Sequence, residues 1–308
     1  MRSRSPVYNA IRVVLLAAIV GYLLWQVVAG REALLSLSPQ WEALSLAGAF
    51  VAAVIAYQCL FLGWVMLLRR SGHYDSGNTS SYLRIWWVSY LYRYVPGKVL
   101  LVVERARMGS AVGIPVAAGA ALTIVETLLA ILAGSAVSLL AISYYAAGDV
   151  PLLFGVAAIA VGAVFVFPAG FRLLCSLPFV RQRYPELETV SLSSRDVLAS
   201  VLPYVAHYLL LGVSFFLLSR SLQVFDRTDL AGLCGIYALS HVISLVALFA
   251  PGGLGVREGA LAVQLGRILP NGVAEALAIG VRIWFTLIEL LCYFAVLVFC
   301  ASKSDRLR

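Results

Sequence analysis

The stretch Phe249-Ala-Pro-Gly-Gly-Leu-Gly-Val-Arg-Glu-Gly259 breaks an apolar region and sets Arg257 beside Glu258. Its apolar neighbours, Cys234 to Ala250 and Ala260 to Leu269, are each too short to cross a bilayer alone. Pro251 lacks an amide hydrogen, and Gly252, Gly253 and Gly255 do not favour a continuing helix, so the helix must stop here. Hydrocarbon supplies no partner for the freed backbone groups. Broken backbone at membrane depth therefore implies a protein-lined or watery cavity.

Composition supplies the membrane. Of 308 residues, 62% are hydrophobic and 12% charged, which excludes an ordinary soluble domain of this length. The 23 Lys plus Arg against 15 Asp plus Glu do not point to nucleic acid, because the basic residues fall in short loops between apolar runs and act as a topology signal. Cys59, Cys175, Cys234, Cys292 and Cys300 have no paired spacing and read as small buried hydrophobes. Met1-Arg-Ser-Arg precedes an apolar run with no convincing small-residue cleavage site, so an uncleaved first span is expected.

Full spans are expected at Ile11 to Ala29, Ala43 to Leu68, about Ile114 to Tyr145, Leu152 to Phe171, Val197 to Leu218 and Val273 to Cys300. Two regions depart from that pattern. Tyr82 to Tyr94 carries Arg84 and Arg93, ends at Pro96-Gly97-Lys98 and has the length of half a span; Leu230 to Leu269 contains the break described above. If both regions (about 82–110 and 230–269) are re-entrant hairpins, there are six full spans with both termini cytoplasmic. Twelve loop and tail Lys or Arg then lie inside against three outside, Arg31, Arg220 and Arg227. If both regions cross fully, the same fifteen residues split ten to five, so the positive-inside rule favours six spans. The expected fold is an all-α polytopic protein of the cell (inner) membrane, with one integral membrane domain over residues 1–308.

In that topology the order span, span, hairpin, span occurs twice with opposite orientation. This is an inverted-topology repeat, with halves at about 1–148 and 149–308. Tyr94-Val-Pro96-Gly97-Lys98 followed by Glu104-Arg105 echoes Phe249-Ala-Pro251-Gly252-Gly253 followed by Arg257-Glu258. Pro96 to Glu126 is 30 positions and Pro251 to Arg282 is 31, so a charge recurs at matched depth with opposite sign.

Ionisable residues inside spans are costly and face a partner or a cavity by default. Glu126 stands alone among apolar residues, whereas Arg282 and Glu289 share one face of the last span with Thr286 between them. These groups either line one cavity or form a lock, an ion pair of Glu126 with Arg282, and the two readings are compatible. Lys98, Arg105, Arg107 and Arg257 suit an anionic head group, since a guanidinium binds phosphate through two hydrogen bonds and broken-helix N-termini add backbone donors. For Lys98, Arg105 and Arg107 the competing reading is a cytoplasmic surface that neutralises lipid phosphates. The candidate substrate-binding set is thus Lys98, Arg105, Arg107, Glu126, Arg257, Glu258, Arg282 and Glu289, with Pro96, Gly97, Pro251, Gly252, Gly253 and Gly255 as hairpin breakers.

His73, His207 and His241 show no metal-ligand spacing, and the latter two read as packing or interhelical hydrogen-bond residues. Gly253-Leu-Gly255-Val-Arg-Glu-Gly259 superficially matches a nucleotide loop but follows no strand, and no Gly-x-Ser-x-Gly motif is present, so neither a cofactor nor a metal is expected. Trp86-Trp87 and Tyr90-Leu-Tyr92 suit an interfacial belt.

Pro96-Gly97-Lys98 with Glu104-Arg105-Ala-Arg107, the intramembrane Glu126, Ala250-Pro-Gly-Gly-Leu-Gly-Val-Arg-Glu258 and Arg282 together resemble the flippase-like membrane domain of the lysylphosphatidylglycerol synthase family. The resemblance covers almost the whole chain; the second motif is fairly specific, and the first is looser because Val99 to Val103 intervene after the Pro-Gly. Lys98, Arg107, Glu126, Arg257, Glu258 and Arg282 map to the family's motif residues. In bifunctional members, the resemblance implies, a soluble domain aminoacylates phosphatidylglycerol and the membrane domain moves the product to the outer leaflet. This sequence carries no such soluble domain, so lipid translocation without synthase activity is the expectation. The substrate does not carry over with the fold.

The expected function is flippase or scramblase-like movement of an amphipathic, anionic or polyprenyl-linked lipid, with a membrane lipid as partner. The alternative is an accessory subunit that presents a lipid carrier to a glycosyltransferase or another lipid-modifying enzyme. A third reading, an intramembrane transferase with Glu126 or Glu258 as general base, lacks a nucleophile or metal site. Oligomeric state stays open.

Overall fold

The computed structural model describes residues 42–95, 99–144, 194–222, 230–247, 250–270 and 272–305, with seven separate helical positions between 14 and 31. The expected span over Leu152 to Phe171, most of Ile11 to Ala29, Cys175, and the breakers Pro96 and Gly97 with Lys98 lie outside the described residues.

Nine α-helices occur among the described residues: α1 (Ala43–Arg70), α2 (Thr79–Tyr90), α3 (Val99–Ser110), α4 (Val116–Ser138), α5 (Ser194–Ala199), α6 (Leu202–Ser221), α7 (Leu230–Val246), α8 (Val256–Leu265) and α9 (Val273–Asp305). No strand occurs among them. Four helices are long and apolar enough to cross a membrane: α1, α4 with its continuation to Ala141, α6, and α9 as far as Cys300. The protein is an all-α membrane protein.

Local sequence accounts for the ends of these helices. Gly72 follows α1 with φ +75°, and the amides of Gly72 and His73 return to the carbonyls of Arg69 (3.2 Å) and Leu68 (2.9 Å), a turn that only glycine enters without strain. The expected span from Val197 begins instead at Leu202, after the short helix α5 and a break at Ser200 and Val201. Pro203 is the cause: it has no amide to donate to a preceding turn and sits where a helix tolerates it, in the first turn.

Both interrupted regions form helix, break, helix. In the first, α2 passes into a 3-10 turn at Leu91–Tyr94 before α3; in the second, α7 gives way to a 3-10 turn at Pro251–Gly253 before α8. The two breaks pack against each other. Gly252 (φ +56°) is where they meet, and a Cβ there would lie 2.5 Å from the Tyr94 ring.

The core is aromatic and surrounds α2, which packs on α1, α3 and α9. Trp86 and Trp87 are fully buried, and Tyr90 and Tyr92 nearly so. The expected interfacial belt is therefore overturned. A twelve-residue helix packed among α1, α3 and α9 turns its aromatic rings inward, and they fill the interior instead: Trp86 stacks on Tyr90 at 4.6 Å and meets Trp87 edge-on at 5.2 Å.

Candidate functional site

Four arginines are buried among the described residues: Arg93, Arg105, Arg257 and Arg282. A charge removed from water must be matched by an opposite charge and by hydrogen bonds, and three of the four are.

Arg105, on α3, pairs with Glu126 on α4. Its Nε donates to Ser89 Oγ (2.9 Å), and its guanidinium lies 5.5 Å from the rings of both Trp64 and Trp86. Trp86 Nε1 donates to the other Glu126 oxygen at 2.9 Å. Arg93, in the first break, pairs with Glu289 on α9, donates to Tyr90 Oη and Tyr94 Oη, and stacks 4.2 Å over the Tyr90 ring. Glu289 also accepts from Tyr57 Oη (2.6 Å) and Tyr94 Oη (2.9 Å). Arg282, on α9, lies 3.1 Å from Glu258 at the start of α8 and donates to the Gly252 carbonyl at 3.1 Å, which ties α9 to the second break.

The expected ion pair of Glu126 with Arg282 is thus overturned. Each residue takes its partner from the break-to-helix segment just before it in sequence, because α3 packs along α4 and α8 along α9. Sequence reasoning also passed over Arg93 as a mere interruption of an apolar run. Its signal was present all the same: an arginine inside a half-span needs a buried acid, and Glu289 was still without one.

Arg257 differs. It is 4% exposed, its Nε reaches Ser244 Oγ at 3.5 Å, and it has no carboxylate within ion-pair distance among the described residues. It sits in the first turn of α8, where no side chain caps the helix amides. Such an N-terminus attracts negative charge.

Arg257 lines a cavity of about 570 Å³ together with Arg93, Arg105 and Glu126. Tyr208, His207 and His241 form a polar edge, and most of the remaining wall is apolar side chain from α3, α4 and α7. His207 Nδ1 donates to the Ala56 carbonyl at 2.8 Å, which fixes its ring against α1. Both α3 and α7 pack on α4, and the groove between them opens outward: the lining residues Val99, Ile124 and Val246 are 64%, 46% and 61% exposed. Exposed apolar side chains of this kind suit contact with acyl chains.

Of the candidate residues, Arg105, Glu126, Arg257 and Gly252 border the cavity, whereas Glu258, Arg282 and Glu289 stand behind it as buried partners. Arg107 does not line this cavity. It is on the opposite side of α3 from Arg105, 56% exposed, and paired with Glu104 at 2.8 Å. Two positions on a helix are turned about 200° apart, so Arg105 and Arg107 cannot face the same cavity. Gly253 and Gly255 take φ +73° and +78° in the break, as breakers do.

No protein-family model matches the chain, and no curated protein matches it.

Proposed function

We propose that this protein moves an amphipathic anionic lipid between the leaflets of the cell membrane, with the head group on Arg257 and an acyl or polyprenyl chain leaving through the groove between α3 and α7. The observation that carries this reading is a buried guanidinium with no carboxylate partner among the described residues, bordering an apolar cavity that opens through exposed apolar side chains. A soluble ligand would need no opening lined by Val99, Ile124 and Val246; a lipid does. The resemblance of the two Pro-Gly motifs to the lysylphosphatidylglycerol synthase membrane domain points the same way and rests on those residues alone.

The reading includes six full spans, two re-entrant hairpins and an inverted repeat with halves at about 1–148 and 149–308, both termini being cytoplasmic. Arg105 with Glu126 in the first half, and Glu258 with Arg282 in the second, support it: each pair joins the helix after a break to the next long helix, with the signs exchanged. Contact between the two breaks is the arrangement in which such halves rock about a central site. Without a nucleotide motif, the lipid gradient alone can drive exchange, and passive scrambling is the simplest case.

The test is leaflet exchange of fluorescent phosphatidylglycerol and of a fluorescent polyprenyl phosphohexose in liposomes containing the purified protein. Wild type is expected to accelerate exchange, and Arg257→Ala to bring it near the protein-free rate. Unchanged exchange in that variant removes the head-group role. Lipid that co-purifies but does not move would favour carrier presentation to a glycosyltransferase.

A further inference from the structure

The charges around the cavity restrict which head groups it can take, on the premise that it is the translocation site. Three guanidinium groups border it, Arg93, Arg105 and Arg257, and all three are permanently protonated. Two carboxylates answer them, Glu289 at Arg93 and Glu126 at Arg105. Three positive charges less two negative leave one positive charge among the described groups, and it belongs to Arg257. Arg282 and Glu258, behind the second break, cancel each other. The imidazoles of His207 and His241 are uncharged at their ordinary state above pH 7.

An uncompensated charge in a dry site is costly, and a ligand with a single negative charge removes that cost. A second negative charge would find no further cation among the described residues of the cavity wall. An ammonium group would fare worse. It would enter beside three guanidinium groups, and the charge of each nearby carboxylate is already matched by an arginine: Glu126 by Arg105, and Glu289, behind the wall, by Arg93. Uncharged hydroxyls, by contrast, find partners along the same wall in Tyr208 and in His241, whose Nδ1 makes no hydrogen bond among the described residues.

We propose that the cavity selects lipids whose head group is a phosphodiester with one negative charge and an uncharged, hydroxyl-bearing substituent, and rejects head groups that carry an ammonium or a phosphomonoester. A glycerol phosphodiester on a diacyl lipid and a sugar phosphodiester on a polyprenyl chain share this chemistry.

The experiment measures two quantities on the full chain: retention of each lipid by the purified protein in detergent, read by native mass spectrometry, and leaflet exchange in liposomes. The probes are phosphatidylglycerol, a polyprenyl phosphohexose, phosphatidic acid, phosphatidylethanolamine and the lysine ester of phosphatidylglycerol. One or both phosphodiesters with uncharged substituents are expected to be retained and moved at least about tenfold better than the other three, about the discrimination that one charge-assisted hydrogen bond provides. Whichever of the two is preferred names the source. Arg257→Gln should weaken phosphodiester retention by about tenfold to a hundredfold and level the series, while Arg257→Lys, which keeps the charge, should keep the order of preference.

If phosphatidylglycerol moves but its lysine ester or phosphatidic acid moves equally fast, selection by charge is overturned and translocation stands. If no lipid moves faster than in protein-free liposomes, translocation falls; selective retention would then still support the charge rule, and indiscriminate retention would overturn it.

Discussion

Arg105 and Glu126 are each tolerable away from water only because of the other. Removing one partner of a buried pair leaves the other charge uncompensated, at a cost of about 3–5 kcal/mol, whereas replacing both with apolar groups of similar volume is close to neutral. Arg105→Met should therefore lower the thermal unfolding midpoint in detergent strongly, and adding Glu126→Leu should recover most of the loss. A double variant as unstable as the single one would show that the pair matters for more than mutual compensation. At Glu289 the carboxylate accepts from Tyr57 Oη at 2.6 Å. Tyr57→Phe deletes that donor and should cost about 1.5–3 kcal/mol in the same assay, a typical range for a hydrogen bond to a charged group. The identity of these acids and bases was readable from the sequence, since a charge inside an apolar run stands out. Their pairing was not, and the sequence pattern suggested the wrong partner for Glu126.

Helices in this protein approach closely where glycine allows it. At Gly212 on α6 an added Cβ would lie 2.6 Å from Cα of Cys234 on α7, a backbone atom that cannot swing aside. Gly212→Ala should force the two helices apart and destabilise by about 1–3 kcal/mol. Gly280, within α9, has nothing within 4 Å of its would-be Cβ, so Gly280→Ala should have the opposite sign and stabilise by up to about 1 kcal/mol through helix propensity. Denaturant or thermal midpoints of the two variants test the contrast. Proline and glycine made the elements legible: the break at Pro251–Gly253 was expected from composition alone. The start of α6 at Leu202 was misplaced because hydrophobicity runs on through Val197, and Pro203 outweighs it locally. Trp86 and Trp87 were misplaced for a different reason. Their ring chemistry suits an interface, but their burial depends on which helices enclose α2.

For the molecule as a whole, the groove between α3 and α7 joins the charged cavity to an exposed apolar surface. Ile124, 46% exposed on α4, borders the groove without touching an ion pair. Ile124→Trp should obstruct chain passage and slow leaflet exchange several-fold while leaving the unfolding free energy within about 0.5 kcal/mol of wild type, as surface substitutions usually do. Equal exchange rates would place the chain elsewhere.

What the sequence by itself determined follows from the bilayer, which constrains a chain in one dimension. Helical spans need a certain apolar length, a broken helix needs a cavity, and charges inside spans need partners. These requirements made the all-helical membrane fold, the two interruptions and the importance of Glu126, Arg257, Arg282 and Glu289 readable from residue order. Only the tertiary structure decided how those charges are matched. Arg105 meets a glutamate 21 positions away, whereas Arg93 meets one 196 positions away, and both matches depend on which helices lie side by side. Arg257 is left over by the same geometry: Glu258, its neighbour in sequence, is turned about 100° around α8 to face Arg282. One guanidinium is thus left without a carboxylate among the described residues, because a helix cannot point two adjacent residues in the same direction.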